Sequence, residues 1–309
     1  MKDRTILKRH LETYYNIFIS ISAGARKSIS RIAKDIGHTG RGRRRATISK
    51  YLQDMYERQI TFYPNLLLKT FENPRWKAFF LKKRDEEEVF GTFKRLSGHV
   101  SYALFLSGKY DYFITCRENT VDFDQFDVEI VRESVLYTPI FTKPSGWNRT
   151  FEDASKKICD LTFEKGYLNR PKSGILQWDD LDCKIFELMK GNARIEYTKV
   201  AENTGVTSAT VKRRFVTNIV PNCEFAHYFF PKGYKYYNQT FFIIHSKYEE
   251  SLVKAFHLLP CTTYVYPFEE EIGCIVFHRS INDLMTMMEK LKVEKVIDSF
   301  SVFTPLRYD

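Results

Sequence analysis

Several familiar features are missing from this 309-residue sequence, and each absence excludes a class of protein. No apolar run approaches the ~18 residues that a membrane-crossing helix needs. The N-terminal stretch MKDRTILKRHLETYYNIFISIS has neither the apolar segment nor the small-residue cleavage site of a signal peptide. The six cysteines (Cys116, Cys159, Cys183, Cys223, Cys261 and Cys274) contain no C-x-x-C pair, so neither a zinc site nor a disulfide framework is expected. They read as thiols in a reducing cytosol. G-x-S-x-G, G-x-x-x-x-G-K-[ST] and H-E-x-x-H are all absent, which removes the signatures of common hydrolases, phosphate-loop proteins and zinc proteases. On these grounds the chain is expected to have no catalytic residues, no metal and no cofactor.

What remains is globular. Hydrophobic residues make up 43% and charged residues 28%, and the abundant Phe and Tyr supply the buried area that disordered chains lack. The length suffices for two cores. Charge is unevenly placed: residues 1–60 hold 14 Lys and Arg against 5 Asp and Glu, a net of +9 in a chain whose total is +10. A basic first fifth favours a polyanionic partner there.

The sequence repeats itself. ARKSISRIAKDIG (Ala25 to Gly37) lines up with ARIEYTKVAENTG (Ala193 to Gly205), and TISKYL (Thr47 to Leu52) with TVKRRF (Thr210 to Phe215). Further on, WKAFFLKKRDEEEVFGTFKRLSG matches NQTFFIIHSKYEESLVKAFHLLP in the order of its features, and Tyr137-Thr138-Pro139 matches Phe303-Thr304-Pro305. The expected domains are 1–70, a helix-turn-helix with an Arg-rich insertion; 71–142, a first α/β domain; 143–177, a linker with one helix marked by Phe151, Ala154, Ile158 and Leu161; 178–232, a second helix-turn-helix; and 233–309, a second α/β domain.

In the second copy, Asp179 or Asp182 can cap a helix with Leu181, Ile185, Leu188 and Met189 on one face. A second helix follows over Tyr197 to Asn203, closed by Gly205, and Thr207 or Ser208 caps a third. This is the helix-turn-helix order. Small and hydroxylated Thr207, Ser208 and Thr210 permit close approach to a groove, and Lys212, Arg213 and Arg214 can meet phosphates or guanine edges. In the first copy Thr47, Ser49 and Lys50 hold the corresponding place. There the turn is five residues longer, and the extra residues carry Arg41, Arg43, Arg44 and Arg45 to the entrance of the recognition helix. Each copy continues as strand, helix, strand, strand, helix, strand: about Thr240–His245, Lys247–Leu259, Thr262–Phe268, Gly273–His278, Ile281–Leu291 and Val296–Thr304 in the second. That is the ferredoxin-like βαββαβ order, whose uncovered aromatic face needs another sheet.

These residues resemble the Lrp/AsnC family of transcription regulators, common in bacteria and archaea. LDCKIFELMKGNARIEYTKVAENTGVTSATVKRRF carries the likeness, and LSGKYDYFI (Leu106 to Ile114) is similar to the Gly-x-x-Asp strand motif of the family's ligand-responsive domain. The resemblance implies an α+β fold of two tandem units, each a winged helix-turn-helix followed by a ferredoxin-like domain. It implies binding to double-stranded DNA, pairing of the two units within one chain or as a homodimer through the α/β sheets, and a cytoplasmic, nucleoid-associated protein. Gly108 and Asp111 mark the implied region for a small effector such as an amino acid. Three departures stand out: the duplication, the arginine insertion, and EEEIGCIVF where the second Gly-x-x-Asp would be. Pro221 falls where the second wing should begin. The alternatives on this sequence are a tetrapyrrole decarboxylase of the same fold, for which His245, His278, Tyr234, Tyr236 and Tyr237 are the candidates, and an architectural DNA-binding protein with little sequence preference.

Overall fold

The computed structural model describes residues 8–37, 43–85 and 88–308. Three helices come first: α1 (Lys8–Ser22), α2 (Ile29–Asp35) and α3 (Arg43–Glu57). Tyr14, Ile17, Phe18 and Ile21 of α1 pack on Ile32 of α2 and on Ile48, Leu52 and Met55 of α3. The spacing of the α3 residues turns Thr47, Ser49 and Lys50 outward. After strands β1 (Asn65–Leu68) and β2 (Phe71–Asn73), the first α/β domain runs β3 (Trp76–Lys83), α4 (Val89–Ser97), β4 (Tyr102–Ser107), β5 (Tyr112–Arg117) and β6 (Val128–Val135). Its second helix is reduced to a single 3₁₀ turn, Phe123–Phe126.

The short β7 (Ile140–Phe141) leads into α5 (Phe151–Cys159), where Ala154 and Ile158 are buried while Leu161 lies past the helix end, exposed. After β8 (Ser173–Ile175), which pairs with β2, the second unit repeats the order: α6 (Asp180–Met189), α7 (Tyr197–Thr204), α8 (Ser208–Arg214), β9 (Cys223–Ala226), β10 (Asn238–His245), α9 (Glu249–Phe256), β11 (Tyr264–Pro267), β12 (Ile272–His278), α10 (Ile281–Val293) and β13 (Ser299–Tyr308). The fold is α+β, two tandem units of helix-turn-helix plus ferredoxin-like domain. Among the described residues no helix is long and apolar enough to cross a membrane.

Each α/β domain has the ferredoxin strand order, β6-β3-β5-β4 and β13-β10-β12-β11. The two sheets face each other across a core of aromatic rings: Phe113 lies 4.8 Å from Phe241, and Phe80 5.8 Å from Phe268. All four side chains are fully buried, each contributing about 2–3 kcal/mol of burial. The helices cover the outer faces, α4 on one side and α5, α9 and α10 on the other.

The repeated Thr-Pro dipeptide marks where the sheets exchange strands. β13 pairs with β10 as far as Phe303 and with β4 from Thr304 onward. In the first unit Leu136 N still bonds Trp76 O, Tyr137 N already bonds Pro267 O, and Ile140 and Phe141 pair with β11. Proline lacks a donor, so a ladder must lose a bond there, and a handover to another strand tolerates the loss.

The strand that follows each helix-turn-helix also crosses over. β1 pairs antiparallel with β9, Asn65 opposite Ala226 through Leu68 opposite Cys223. Among the described residues neither module has a wing hairpin of its own. Instead Leu66 and Leu68 of the first unit complete the core of the second module, and Phe229 of the second unit completes that of the first.

Candidate nucleic-acid interface

The second module is built as its sequence suggests. Asp179 caps α6, its carboxylate accepting from Asp182 N at 2.9 Å. Ile185, Phe186 and Met189 face inward, and Leu181 and Leu188, partly buried, pack against the same core. Gly205 ends α7 with φ +72, the left-handed conformation that favours glycine. Thr207 caps α8, accepting from Thr210 N at 3.2 Å while the two hydroxyls lie 3.0 Å apart. Val211 and Phe215 are buried, and a π turn over Phe215–Ile219 carries the chain to Pro221 and β9.

The outward face of α8 therefore presents Thr207, Ala209, Lys212 and Arg213, with Ser208 and Thr210 partly exposed. Among the described residues Lys212 and Arg213 make no ion pair. Arg214 requires a correction: its guanidinium turns back to Asp179 at 2.7 Å and to the buried Asp182 at 3.1 Å. Asn218 Nδ2 donates to the same Asp182 carboxylate at 2.9 Å. Arg214 thus ties the recognition helix to α6 and is not free to reach a groove.

In the first module, Ser28 caps α2, and Asp35 receives Ser20 at 2.9 Å, Lys27 at 2.7 Å and Arg31 at 3.1 Å. Thr47, Ser49 and Lys50 lie exposed on α3. Arg43, Arg44 and Arg45 form the first turn of that helix, while Arg41 lies outside the described residues.

Two residues that the sequence argument passed over join the modules. Arg194 donates to Ala25 O at 2.6 Å and to Lys27 O at 3.0 Å. Arg26 returns the contact, donating to Ala193 O, with its guanidinium 4.0 Å from the centre of the Tyr197 ring. Residue i meets j and j meets i, as across a twofold interface. The signal was present as the repeated Ala-Arg dipeptide.

The suggested effector residues are occupied within their own domain. Gly108 has φ +123 in the β4–β5 turn, and Asp111 accepts from Lys82 Nζ at 2.9 Å and Lys83 N at 2.8 Å. The strand-end histidines are also engaged: His278 is buried against Thr240 Oγ1 at 2.8 Å, and His245 lies 2.6 Å from the buried Glu271.

Comparison with known proteins agrees with the module. Residues 179–216 match the AsnC-type helix-turn-helix domain. The chain thus carries an AsnC-type helix-turn-helix module, the likeness its sequence suggested. None of the curated protein sequences matches it. Among solved structures, AsnC from E. coli is 26% identical, over 42% of this chain and 93% of its own, with a TM-score of 0.30. The siroheme decarboxylase NirDL matches 96% of this chain and 91% of its own, with a TM-score of 0.54 at 9% identity. Its complex with an iron-uroporphyrin III analogue gives 0.52 at 8% identity, over 96% and 92%. That likeness is one of fold over nearly the whole length. It corrects the expectation that this chain is not an enzyme, because an enzyme has this fold over nearly the same length.

Proposed function

We propose that the chain is a DNA-binding transcription regulator, cytoplasmic and nucleoid-associated, reading DNA through two non-identical helix-turn-helix modules. The observation that carries this reading is the outward face of α8, where Lys212 and Arg213 stand exposed beside Thr207 and Ala209 in a matched AsnC-type module. Lys212 neutralises a phosphate and Arg213 meets a phosphate or a base edge. In the first module Thr47, Ser49 and Lys50 face the groove, and Arg41, Arg43, Arg44 and Arg45 add backbone or minor-groove contacts. One chain supplies both halves of the paired arrangement, so the site it reads is a pair of different half-sites.

The test is a titration of the purified chain against its own upstream DNA and against random DNA of equal length, at two salt concentrations. A preference for the upstream fragment that persists at the higher salt, and that erodes in K212A/R213A, supports a sequence-specific regulator. Equal binding that collapses with salt would replace this reading with an architectural one. Absence of binding would discard DNA altogether.

A second reading is supported by the whole-chain likeness to NirDL: a tetrapyrrole decarboxylase on the same fold. Its test is an absorbance titration with an iron tetrapyrrole carboxylate, in which a stoichiometric shift of the pigment band supports it and an unshifted band removes it.

A further inference from the structure

The two units differ in one cavity. A cleft of about 510 Å³ opens between α6 of the second module and β5 of the first sheet, with Phe186 on one wall and Trp76, Tyr102 and Thr115 on the other. At its rim Arg117 of β5 lies 3.9 Å from Glu187 of α6, which also holds Lys190 at 2.6 Å. Two cations thus share one carboxylate. Among the described residues the buried indole N–H of Trp76 has no acceptor.

The corresponding place in the other half lies between α1 and β12, and there the chain supplies its own filling. Residues 69–75 join β1 to β3, but the longer 227–237 join β9 to β10 and carry the sequence HYFFPKGYKYY. Phe229 stacks on Phe18 of α1 at 5.1 Å, and Phe230 packs on Phe277 of β12 at 4.8 Å. The plug is fixed to the end of the first module: Phe230 N bonds Ile60 O at 2.8 Å and Tyr234 N bonds Gln59 O at 2.9 Å. At Gly233, φ is +88 and a Cβ would stand 2.5 Å from Arg58 O, so only glycine passes.

We infer that the open cleft is a binding site for a small aromatic acid, which takes in the first unit the place that Phe229 and Phe230 take in the second. The plug supplies the argument for flat rings, because the chain itself closes the related space with them. The rim supplies the argument for the acid: a ligand carboxylate or sulfonate competes with Glu187 for Arg117 and Lys190, and charge-assisted bonds of this kind are the stronger class. The volume suits a small ligand, within the ~300–1,000 Å³ of such sites. The occupant bridges α6 and the first sheet, so its binding is felt by the second recognition module.

The probe is 1-anilinonaphthalene-8-sulfonate, titrated into the full chain with fluorescence as readout. Thr115, on β5 and buried in the cleft wall, is replaced in T115F to fill the space, and the half-exposed Arg117 is replaced in R117Q to remove the anion partner. The expected result is one dye per chain, a loss of binding in T115F and about tenfold weaker binding in R117Q with an unchanged circular dichroism spectrum. If T115F fails to fold, R117Q decides alone. Dye bound equally by wild type and R117Q, bound at several equivalent places, or not bound at all overturns the proposal.

Discussion

The second unit keeps to a compact pattern, and the first departs from it at nearly every corresponding point. The segment before α8 is short and capped by Thr207, whereas α3 opens directly on Arg43, Arg44 and Arg45 after a longer stretch of sequence. The second α/β domain has both helices, whereas one in the first has shrunk to a 3₁₀ turn. The second unit plugs its cleft and the first leaves it open. In a homodimer every change appears twice. A tandem chain lets one half hold the fold while the other changes, and the strand exchanges at Thr138-Pro139 and Thr304-Pro305 keep the halves together meanwhile.

The largest expected effect tests whether the second unit is the more firmly braced. Arg170 of the linker meets the fully buried Glu249 with two bonds, at 2.9 and 2.8 Å, and Leu168 N adds a third at 2.9 Å. R170A leaves a carboxylate buried without its cation, so urea unfolding should register a loss of about 3–5 kcal/mol. Removing Glu133, the half-exposed partner of Lys77 in the first sheet, should cost less than about 1 kcal/mol, because Lys77 keeps Glu118 at 2.8 Å. Equal losses would erase the contrast.

Next in size is the arginine cluster at the start of α3. Replacing Arg41, Arg43, Arg44 and Arg45 with Ala should weaken binding to every DNA sequence and lower the salt slope by about one unit per lost phosphate contact. If all four make contacts, a change from 50 to 200 mM salt should cost the variant about 150-fold less affinity than it costs wild type. An unchanged slope would remove the cluster from the interface.

The joint between the modules offers a smaller and sharper test. Arg26 and Arg194 make reciprocal bonds to backbone carbonyls, so R26A and R194A should each destabilise the chain by about 2 kcal/mol in urea unfolding. A loss in only one variant would mean that the twofold relation is geometric without being energetic.

Much of this architecture was legible beforehand. The caps at Asp179 and Thr207 and the φ of Gly205 follow from local chemistry, and α10 begins at Ile281 as its periodicity suggests. The aromatic face that required a second sheet found one in the same chain. What the sequence hid depends on distant partners. Arg214 looked like a reader because its neighbours in sequence are basic, yet the carboxylates of Asp179 and Asp182 hold it from a preceding helix. A wing was expected within each module, but β1 and β9 instead pair with each other across more than 150 residues. Nothing in HYFFPKGYKYY marks it as a plug in the sequence, and only its packing reveals one.

The last and smallest effect comes from a histidine beside the joint. His227, at the base of the plug, is 5% exposed, and burial, with help from Lys143 and Arg194, pushes its imidazole down to about 4. The folded state therefore holds His227 neutral, while the unfolded chain protonates it near 6.5. Because the unfolded state binds more protons between these values, the contribution is fully present above about pH 6.5 and is lost as pH falls toward 4. From pH 7.5 to 5.5 the loss should be about 1.3 kcal/mol. Carboxylates such as Asp35 and Asp54, held below their ordinary range, lose stability at lower pH still, so the comparison is between wild type and H227Q across that window. A flatter profile in H227Q would identify the plugged half as the pH-sensitive one; superimposable profiles would show that the imidazole reaches water when protonated, and that the plug is looser than its packing suggests.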